Sequence, residues 1–312
     1  MRVAVTGGAG FIGGNVCRAL GEEAWVDEVV ALDDLSTGYA ENLNDAKATL
    51  IEGSILDPAA IDKALSGADS VVHLAARPSV PRSIADPVAT HEVNATGTVN
   101  VLEGVRRHSI QHVIIASSSS VYGDVATLPK HEGLATAPLS PYAATKLATE
   151  VYGLAWGNSF GIPVLAFRFF NVFGPLQPAG HAYAAVIPAF VDAALSGRPL
   201  PIFGDGKQTR DFTYVGTVSA VLSEAVRRRV ASPTPVNLAY GTRTSLLELA
   251  SLLEGVLGQK LERDHQSPRA GDVRDSQADQ TAVRSLFPDI PPLSLEEGLR
   301  ATVEWFRDSQ SY

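Results

Sequence analysis

The stretch Thr6-Gly7-Gly8-Ala9-Gly10-Phe11-Ile12-Gly13 decides how the rest of the chain reads. It follows the short apolar run Val3-Ala4-Val5 and leads into a helical pattern. The glycines have separate tasks. Gly7 allows a tight turn, Gly10 lets the backbone approach a pyrophosphate, and Gly13 permits close packing of the helix that follows. The helix N-terminus then turns its free N–H groups toward the phosphates. Plain turns are also glycine-rich, so the context decides: a strand before, a helix after, and Asp33 twenty positions beyond Gly13. A carboxylate there accepts both hydroxyls of an adenosine ribose and repels a 2′-phosphate. No Arg or Lys follows until Lys47, so NAD is expected over NADP.

Outward from this stretch, runs of strand length alternate with helical ones. Val3 to Thr6, Glu28 to Leu32, Thr49 to Glu52, Ser70 to Leu74, His112 to Ala116 and Val164 to Arg168 read as strands. Pro87 to His108 and Tyr142 to Phe160 read as helices. Apolar strands separated by helices imply a parallel sheet covered on both faces, and right-handed crossovers make it a doubly wound α/β (Rossmann) fold. Beyond Arg168 Gly and Pro become denser and the alternation lapses. At roughly 150 residues per domain, 312 residues suggest two. The expected division is a dinucleotide-binding domain over 1–170, with 212–238 returning to its sheet, and a smaller mixed α/β substrate domain over 171–312.

Composition narrows the partners. Lys and Arg number 25 against 34 Asp and Glu, a net charge of −9, which argues against nucleic acid or an anionic membrane. It leaves room for one small anionic ligand held by a few arginines. The single cysteine, Cys17, excludes an internal disulfide and a multi-cysteine metal site; no metal is expected. The N-terminal apolar run is too short for a signal peptide, and the uncharged stretch from Arg168 to Asp192 is broken by glycines and prolines. A cytoplasmic location with no membrane partner is the expectation.

Tyr142 and Lys146 stand four apart in a helical pattern and therefore share a face. A free phenol, with a pKa near 10, is a poor base at neutral pH. A nearby ammonium and a positive nicotinamide ring both favour phenolate; reaching about 7 requires roughly 4 kcal/mol. Upstream, Ser117-Ser118-Ser119-Ser120-Val121-Tyr122-Gly123 ends a strand at the edge that faces the ligand crevice, where a serine can hydrogen-bond a reacting oxygen.

With these stretches, Asp33-Asp34-Leu35-Ser36-Thr37-Gly38, His73-Leu74-Ala75-Ala76, Ser140 to Lys146, Arg168 to Pro175, Gly204 to Phe212 and Pro268 to Val273, the chain resembles the extended short-chain dehydrogenase/reductase family. Within it, the NAD-dependent epimerase/dehydratase group and its UDP-sugar 4-epimerases are the nearest match. The resemblance implies Tyr142 as base, Lys146 as its electrostatic partner and cofactor-ribose ligand, and Ser118 as hydroxyl donor. It places Gly7, Gly10, Phe11, Ile12, Gly13, Asp33, Ser36, Thr37, Gly38, Ser54, Ile55, Leu74, Ala75, Ala76, Asn94 and Phe170 around NAD. Asn171, Arg210, Arg269 and Asp272 would hold the nucleotide diphosphate, with Val186, Phe203 and Ser276 also at the substrate. Two residues depart from the pattern: Ser54 replaces an acidic residue that reads the adenine amino group, and Gly216 stands where Asp usually begins a helix.

The resemblance also bears on the reaction. The family's 4,6-dehydratases carry Asp-Glu after the catalytic hydroxyl residue, where this chain has Ser119-Ser120, so reversible oxidation at C4 is expected instead. Ser276, in place of a bulky tyrosine, leaves room for an N-acetyl group, and the loop from Gly174 to Pro188 resembles that of epimerases of N-acetylated sugars. A uronate would want a cation, yet no Lys or Arg lies between Arg168 and Arg198. UDP-glucose, UDP-N-acetylhexosamine and UDP-glucuronate all stay open. Family members dimerise through two helices, here Pro87 to His108 and Tyr142 to Phe160, so a homodimer is expected.

Overall fold

The computed structural model describes residues 1–179, 184–267 and 273–309. Its first half runs β1 (Arg2–Thr6), α1 (Phe11–Gly21), β2 (Glu28–Asp33), β3 (Ala48–Glu52), α2 (Pro58–Leu65), β4 (Ser70–His73), α3 (Val80–Ala85), α4 (Pro87–His91), α5 (Gly97–Arg107), β5 (Val113–Ser118), α6 (Pro141–Phe160) and β6 (Val164–Phe169). The second half continues with β7 (Asn171–Phe173), α7 (Val186–Leu195), β8 (Leu200–Phe203), β9 (Thr209–Arg210), β10 (Phe212–Tyr214), α8 (Val215–Arg228), β11 (Val236–Leu238), β12 (Thr244–Ser245), α9 (Leu246–Leu257), β13 (Arg263–Gln266), α10 (Thr281–Leu286) and α11 (Leu295–Ser309).

Seven parallel strands form the central sheet in the order β11-β6-β5-β4-β1-β2-β3. The two-residue period of each strand distributes its side chains between two apolar layers. Val3 and Val5 join α1 and α8 through Val16, Leu20, Val218 and Leu222, while Ala4 joins α2 and α5 through Ile61, Leu65, Val101 and Val105. Each fully buried aliphatic side chain contributes about 1.5–3 kcal/mol. The strand order reverses between β1 and β4, which opens a crevice beyond their carboxyl ends. Among the described residues, no helix is long and apolar enough to cross a membrane.

Three expectations need correction. Phe212–Tyr214 pairs with Asn171–Phe173 in its own two-stranded sheet, and only the Val236–Leu238 end of that segment joins the central one. Residues beyond 238 also return to the first core, because α10 inserts Val283 and Phe287 against the sheet. Finally, the helix read over Pro87 to His108 is interrupted by a π turn at Glu92–Thr96. Apolar periodicity does not report such an inserted residue. A separate apolar cluster gathers Phe173, Phe190, Ile202, Leu249, Leu299 and Phe306 from β7, α7, β8, α9 and α11.

Candidate active site

The crevice is a cleft of about 1090 Å³ lined by both halves of the chain. Its floor is the glycine stretch. Gly7 adopts φ +71°, and a Cβ there would stand 2.7 Å from Ala75 N. At Gly13 a Cβ would meet Gly7 O at 2.0 Å, so only glycine lets α1 start this close to the turn. Over Gly10 the nearest atom to a built Cβ is Gly7 O at 3.2 Å; that side is open to the cleft. Gly10 is also the N-cap of α1, with no side-chain cap and no acidic residue in the first turn. The helix therefore offers backbone donors and a positive dipole end to an anion, which fits a dinucleotide's pyrophosphate.

Asp33 lines the cleft from the end of β2. Its Oδ2 accepts from Ala9 N and its Oδ1 from Leu35 N, both at 2.9 Å, so it braces the glycine turn while lining the cleft. Burial raises its pKa, and the backbone donors act against that rise. Phe11, Ile12, Ser36, Thr37, Ile55, Leu74, Ala75, Ala76 and Phe170 line the same space. Three candidates stand behind the wall. A Cβ on Gly38 would come within 2.8 Å of the Ala9 backbone. Ser54 Oγ accepts from Leu56 N at 3.1 Å in a local turn. Asn94, 1% exposed, accepts from Arg77 N at 2.7 Å and donates to Thr145 Oγ1 at 3.0 Å, shaping the wall from within.

Ser118, Tyr142 and Lys146 meet at the other end of this space. Ser118 ends β5. Helix α6 begins with Ser140 as N-cap, accepting from Ala143 N, and with Pro at its first position, which puts Tyr142 and Lys146 on successive turns. Tyr142 N donates to Ser83 Oγ at 3.0 Å. Burial raises the Tyr142 pKa, opposed by a hydrogen bond with Ser118. Lys146 Nζ donates to Ala116 O at 2.8 Å, and burial lowers its pKa to about 8. Nearby His73 is pushed down to about 3 by burial and by Lys146, and is held between Thr6 Oγ1 at 2.7 Å and Thr98 Oγ1 at 3.0 Å; it is a neutral structural group.

On the opposite side, Asn171 lines the cleft from β7. Val186 opens α7, Phe203 ends β8, and Ser276 N donates to Thr209 O at 3.2 Å, beside Arg210. Arg210 Nη1 donates to Thr209 O at 2.8 Å. These four do not line the cleft itself. Arg269 and Asp272 lie outside the described residues. Helix α8 begins at Val215 despite Gly216, whose missing Cβ leaves room for the Tyr214 ring.

Sequence reasoning passed over Arg77, Ser79, Arg82 and Gln177, all of which line the cleft. Ser79-Val80-Pro81 is a helix-start signal that could have marked them. Ser79 takes φ +94°, a strained value for serine, and accepts from Arg82 N at 3.3 Å as the N-cap of α3.

A sequence model described as the NAD dependent epimerase/dehydratase family matches residues 3–239. The chain is 37% identical over 314 residues to a UDP-glucose 4-epimerase of Mycolicibacterium smegmatis, covering 99% of each. It is 32% identical over 323 residues to a UDP-glucuronate 4-epimerase of Thermodesulfobacterium geofontis, covering 98% of this chain and 96% of the relative. Among solved structures, a UDP-N-acetylglucosamine 4-epimerase from Methanobrevibacter ruminantium M1, in complex with UDP-N-acetylmuramic acid, matches with a TM-score of 0.92 at 35% identity. That match covers 99% of this chain and 98% of the other.

Proposed function

The chain belongs to the NAD-dependent epimerase/dehydratase family, and on that premise we propose that it is a 4-epimerase of a UDP-sugar, of the glucose/galactose or the N-acetylhexosamine series. The observation that carries this reading is the meeting of Ser118, Tyr142 and Lys146 in one cleft with Ser119 and Ser120, not carboxylates, following Ser118. Elimination of water needs a further acid and base at that point, whereas C4 oxidation and its reversal need one group that moves a single proton.

Residues 1–170, with α8 and β11, would hold NAD through the glycine turn, the α1 N-terminus and Asp33; the second lobe would hold the nucleotide sugar. NAD, when bound, supplies a hydride acceptor at C4 that also returns the hydride. Tyr142 takes the O4 proton, keeps it while C4 is a ketone, and gives it back. Ser118 holds O4 by a hydrogen bond, and Lys146 orients the ribose of the cofactor. Because the ketone must present either face, firm contacts belong on the nucleotide and looser ones on the hexose. Two copies are proposed to associate through α4 and α6, where Val88, Val151 and Tyr152 are 66%, 55% and 41% exposed. Light scattering that shows only monomer at micromolar concentration would exclude that association.

A second reading, UDP-glucuronate, is favoured by Arg82. It lines the cleft, and its guanidinium has no hydrogen-bond or ion-pair partner among the described residues, whereas Arg77 pairs with Asp86 at 3.2 Å. On this reading Arg82, carried by α3 and not by the 168–198 stretch, would be the cation that a uronate needs. Incubation of the purified protein with UDP-glucose, UDP-N-acetylglucosamine and UDP-glucuronate, followed by NMR of the anomeric protons, tests both readings. Formation of a C4 epimer from at least one is expected; no epimer from any would overturn the function.

A further inference from the structure

Directly behind Ser118 and Lys146 lies an ion pair nearly sealed from water. The side chains of Glu150 and Arg168 are each 4% exposed. Arg168 Nη2 donates to Glu150 Oε1 at 2.7 Å and Nε to Oε2 at 2.9 Å, a bidentate fork. Ser117 Oγ donates to the same Oε2 at 2.7 Å. On its other side, the Arg168 guanidinium sits 4.7 Å from the centre of the Tyr122 ring, whose hydroxyl donates to Asn237 Oδ1 on β11 at 2.7 Å.

The register puts this cluster where the chemistry is. Ser117 pairs with Arg168 across β5 and β6, and Ser118 pairs with Phe169. Glu150 stands one turn beyond Lys146 on α6. Three consecutive residues of β5 thus meet α6 through side chains: the Ala116 carbonyl with Lys146, the Ser117 hydroxyl with Glu150, and Ser118 with Tyr142. A buried ion pair is a weak source of stability, because desolvating both charges offsets their attraction and an apolar pair of similar volume often serves as well. An apolar pair lacks direction, whereas a carboxylate–guanidinium fork fixes distance and angle together.

We propose that Glu150 and Arg168, acting through Ser117, are positioning residues that hold the end of β5 in register with α6 and so keep Ser118 against Tyr142. The inference rests on the reading of Ser118, Tyr142 and Lys146 as the reacting groups. Its electrostatic consequence follows from the Ser118 contact, which lowers the Tyr142 pKa against burial. If the register loosens, that contact weakens and the phenol titrates higher.

The test is the double variant Glu150→Met/Arg168→Met, which leaves neither charge unpaired. Expected are retained cooperative unfolding and bound NAD, with kcat roughly 10- to 100-fold lower and KM within about threefold of wild type. The Tyr142 titration, followed by 13C NMR of the labelled phenol and by the acidic limb of the kcat–pH profile, should move up by about 0.5 unit or more. Wild-type kcat with an unmoved titration in the folded double variant overturns the proposal, since a purely structural pair would give that result. Should the double variant fail to fold, Ser117→Ala decides. It is expected to lower kcat about 3- to 10-fold and move the titration in the same direction, and no change in either overturns the proposal. A wild type that turns over no UDP-sugar sinks the functional reading instead, and the NMR titration still decides the register.

Discussion

The two walls of the cleft are made of different material. The wall from β1, α1 and β2 is backbone: a turn at Gly7, the helix start at Gly10, the close packing at Gly13, and one carboxylate, Asp33, tied to Ala9 N and Leu35 N. The facing wall is side chains from separate elements: Ser79 as N-cap of α3, Arg82 within it, Asn171 on β7, and Gln177 beyond that strand. A backbone wall recognises what never changes in its ligand, and it cannot be edited one residue at a time without moving the fold. A side-chain wall can be. That division suits a constant cofactor opposite a variable sugar, and it can be tested residue by residue.

Tyr142 stands at the seam between the walls, so its removal should have the largest effect with the least structural disturbance. Tyr142→Phe keeps the ring and the Ser83 contact to the backbone amide. A loss of about 10³-fold in kcat is expected with unchanged bound NAD, read by epimerisation NMR and cofactor release on denaturation. Turnover at the wild-type rate would remove Tyr142 from the chemistry and leave the seam without a base.

The backbone wall breaks next. A methyl group at Gly13 would lie 2.0 Å from Gly7 O, and the listener to that clash is main chain on both sides, with no rotamer to relieve it. Gly13→Ala should lose about 1–3 kcal/mol of stability and most of its bound NAD together. The urea midpoint and the 260/280 nm absorbance ratio report the two. Retention of both would show that the turn can shift, and the comparison of walls would lose its rigid half.

This contrast also explains what could be read from the chain in advance. The sheet, the crossover helices and the glycine turn follow from local spacing, because apolar periodicity and glycine freedom are properties of neighbouring residues. Gly7, Gly13, Asp33, Ser118, Tyr142 and Lys146, singled out by such spacing, line one cleft. The rest depended on contacts distant in sequence. The pairing of Phe212–Tyr214 with β7 and the return of α10 to the first core carry no local signal. Arg82 was invisible as a cleft cation because α3 reaches the cleft from outside the 168–198 stretch. The Lys146–Ala116 bond is likewise one that no spacing reveals.

The side-chain wall should respond more selectively. Arg82→Gln keeps a polar side chain of similar reach and removes the charge. On the second reading, kcat/KM for UDP-glucuronate should fall about 10- to 30-fold while that for UDP-glucose changes less than about twofold. Equal losses on both sugars would mean that Arg82 meets a group common to all substrates, such as a phosphate, and the sugar wall would then share the constancy of the cofactor wall.

The smallest effect is expected where the backbone wall admits a side chain at all. Family resemblance places an acidic residue at position 54 to accept from the adenine amino group. Here Ser54 uses its Oγ on Leu56 N, and the neighbouring Asp57 is the N-cap of α2, accepting from Ala59 N at 2.9 Å. Neither side chain therefore reproduces that acceptor, although Gly53 and Ile55 on either side of Ser54 line the cleft. On the proposed placement of NAD, Ser54→Asp supplies a carboxylate at the adenine end, some of whose gain is offset by repulsion from Asp33 and Asp34, which line the cleft. One added hydrogen bond of about 1 kcal/mol, reduced by that repulsion, corresponds to a roughly threefold tighter Kd for NAD, measured by calorimetry on apoprotein. Because the adenine end takes no part in proton or hydride movement, kcat should stay the same. An unchanged Kd would mean that the glycine turn and Asp33 already saturate recognition without a base-reading side chain. A changed kcat would mean that the two walls are mechanically coupled, and that a cofactor contact far from Tyr142 still sets the geometry at the seam.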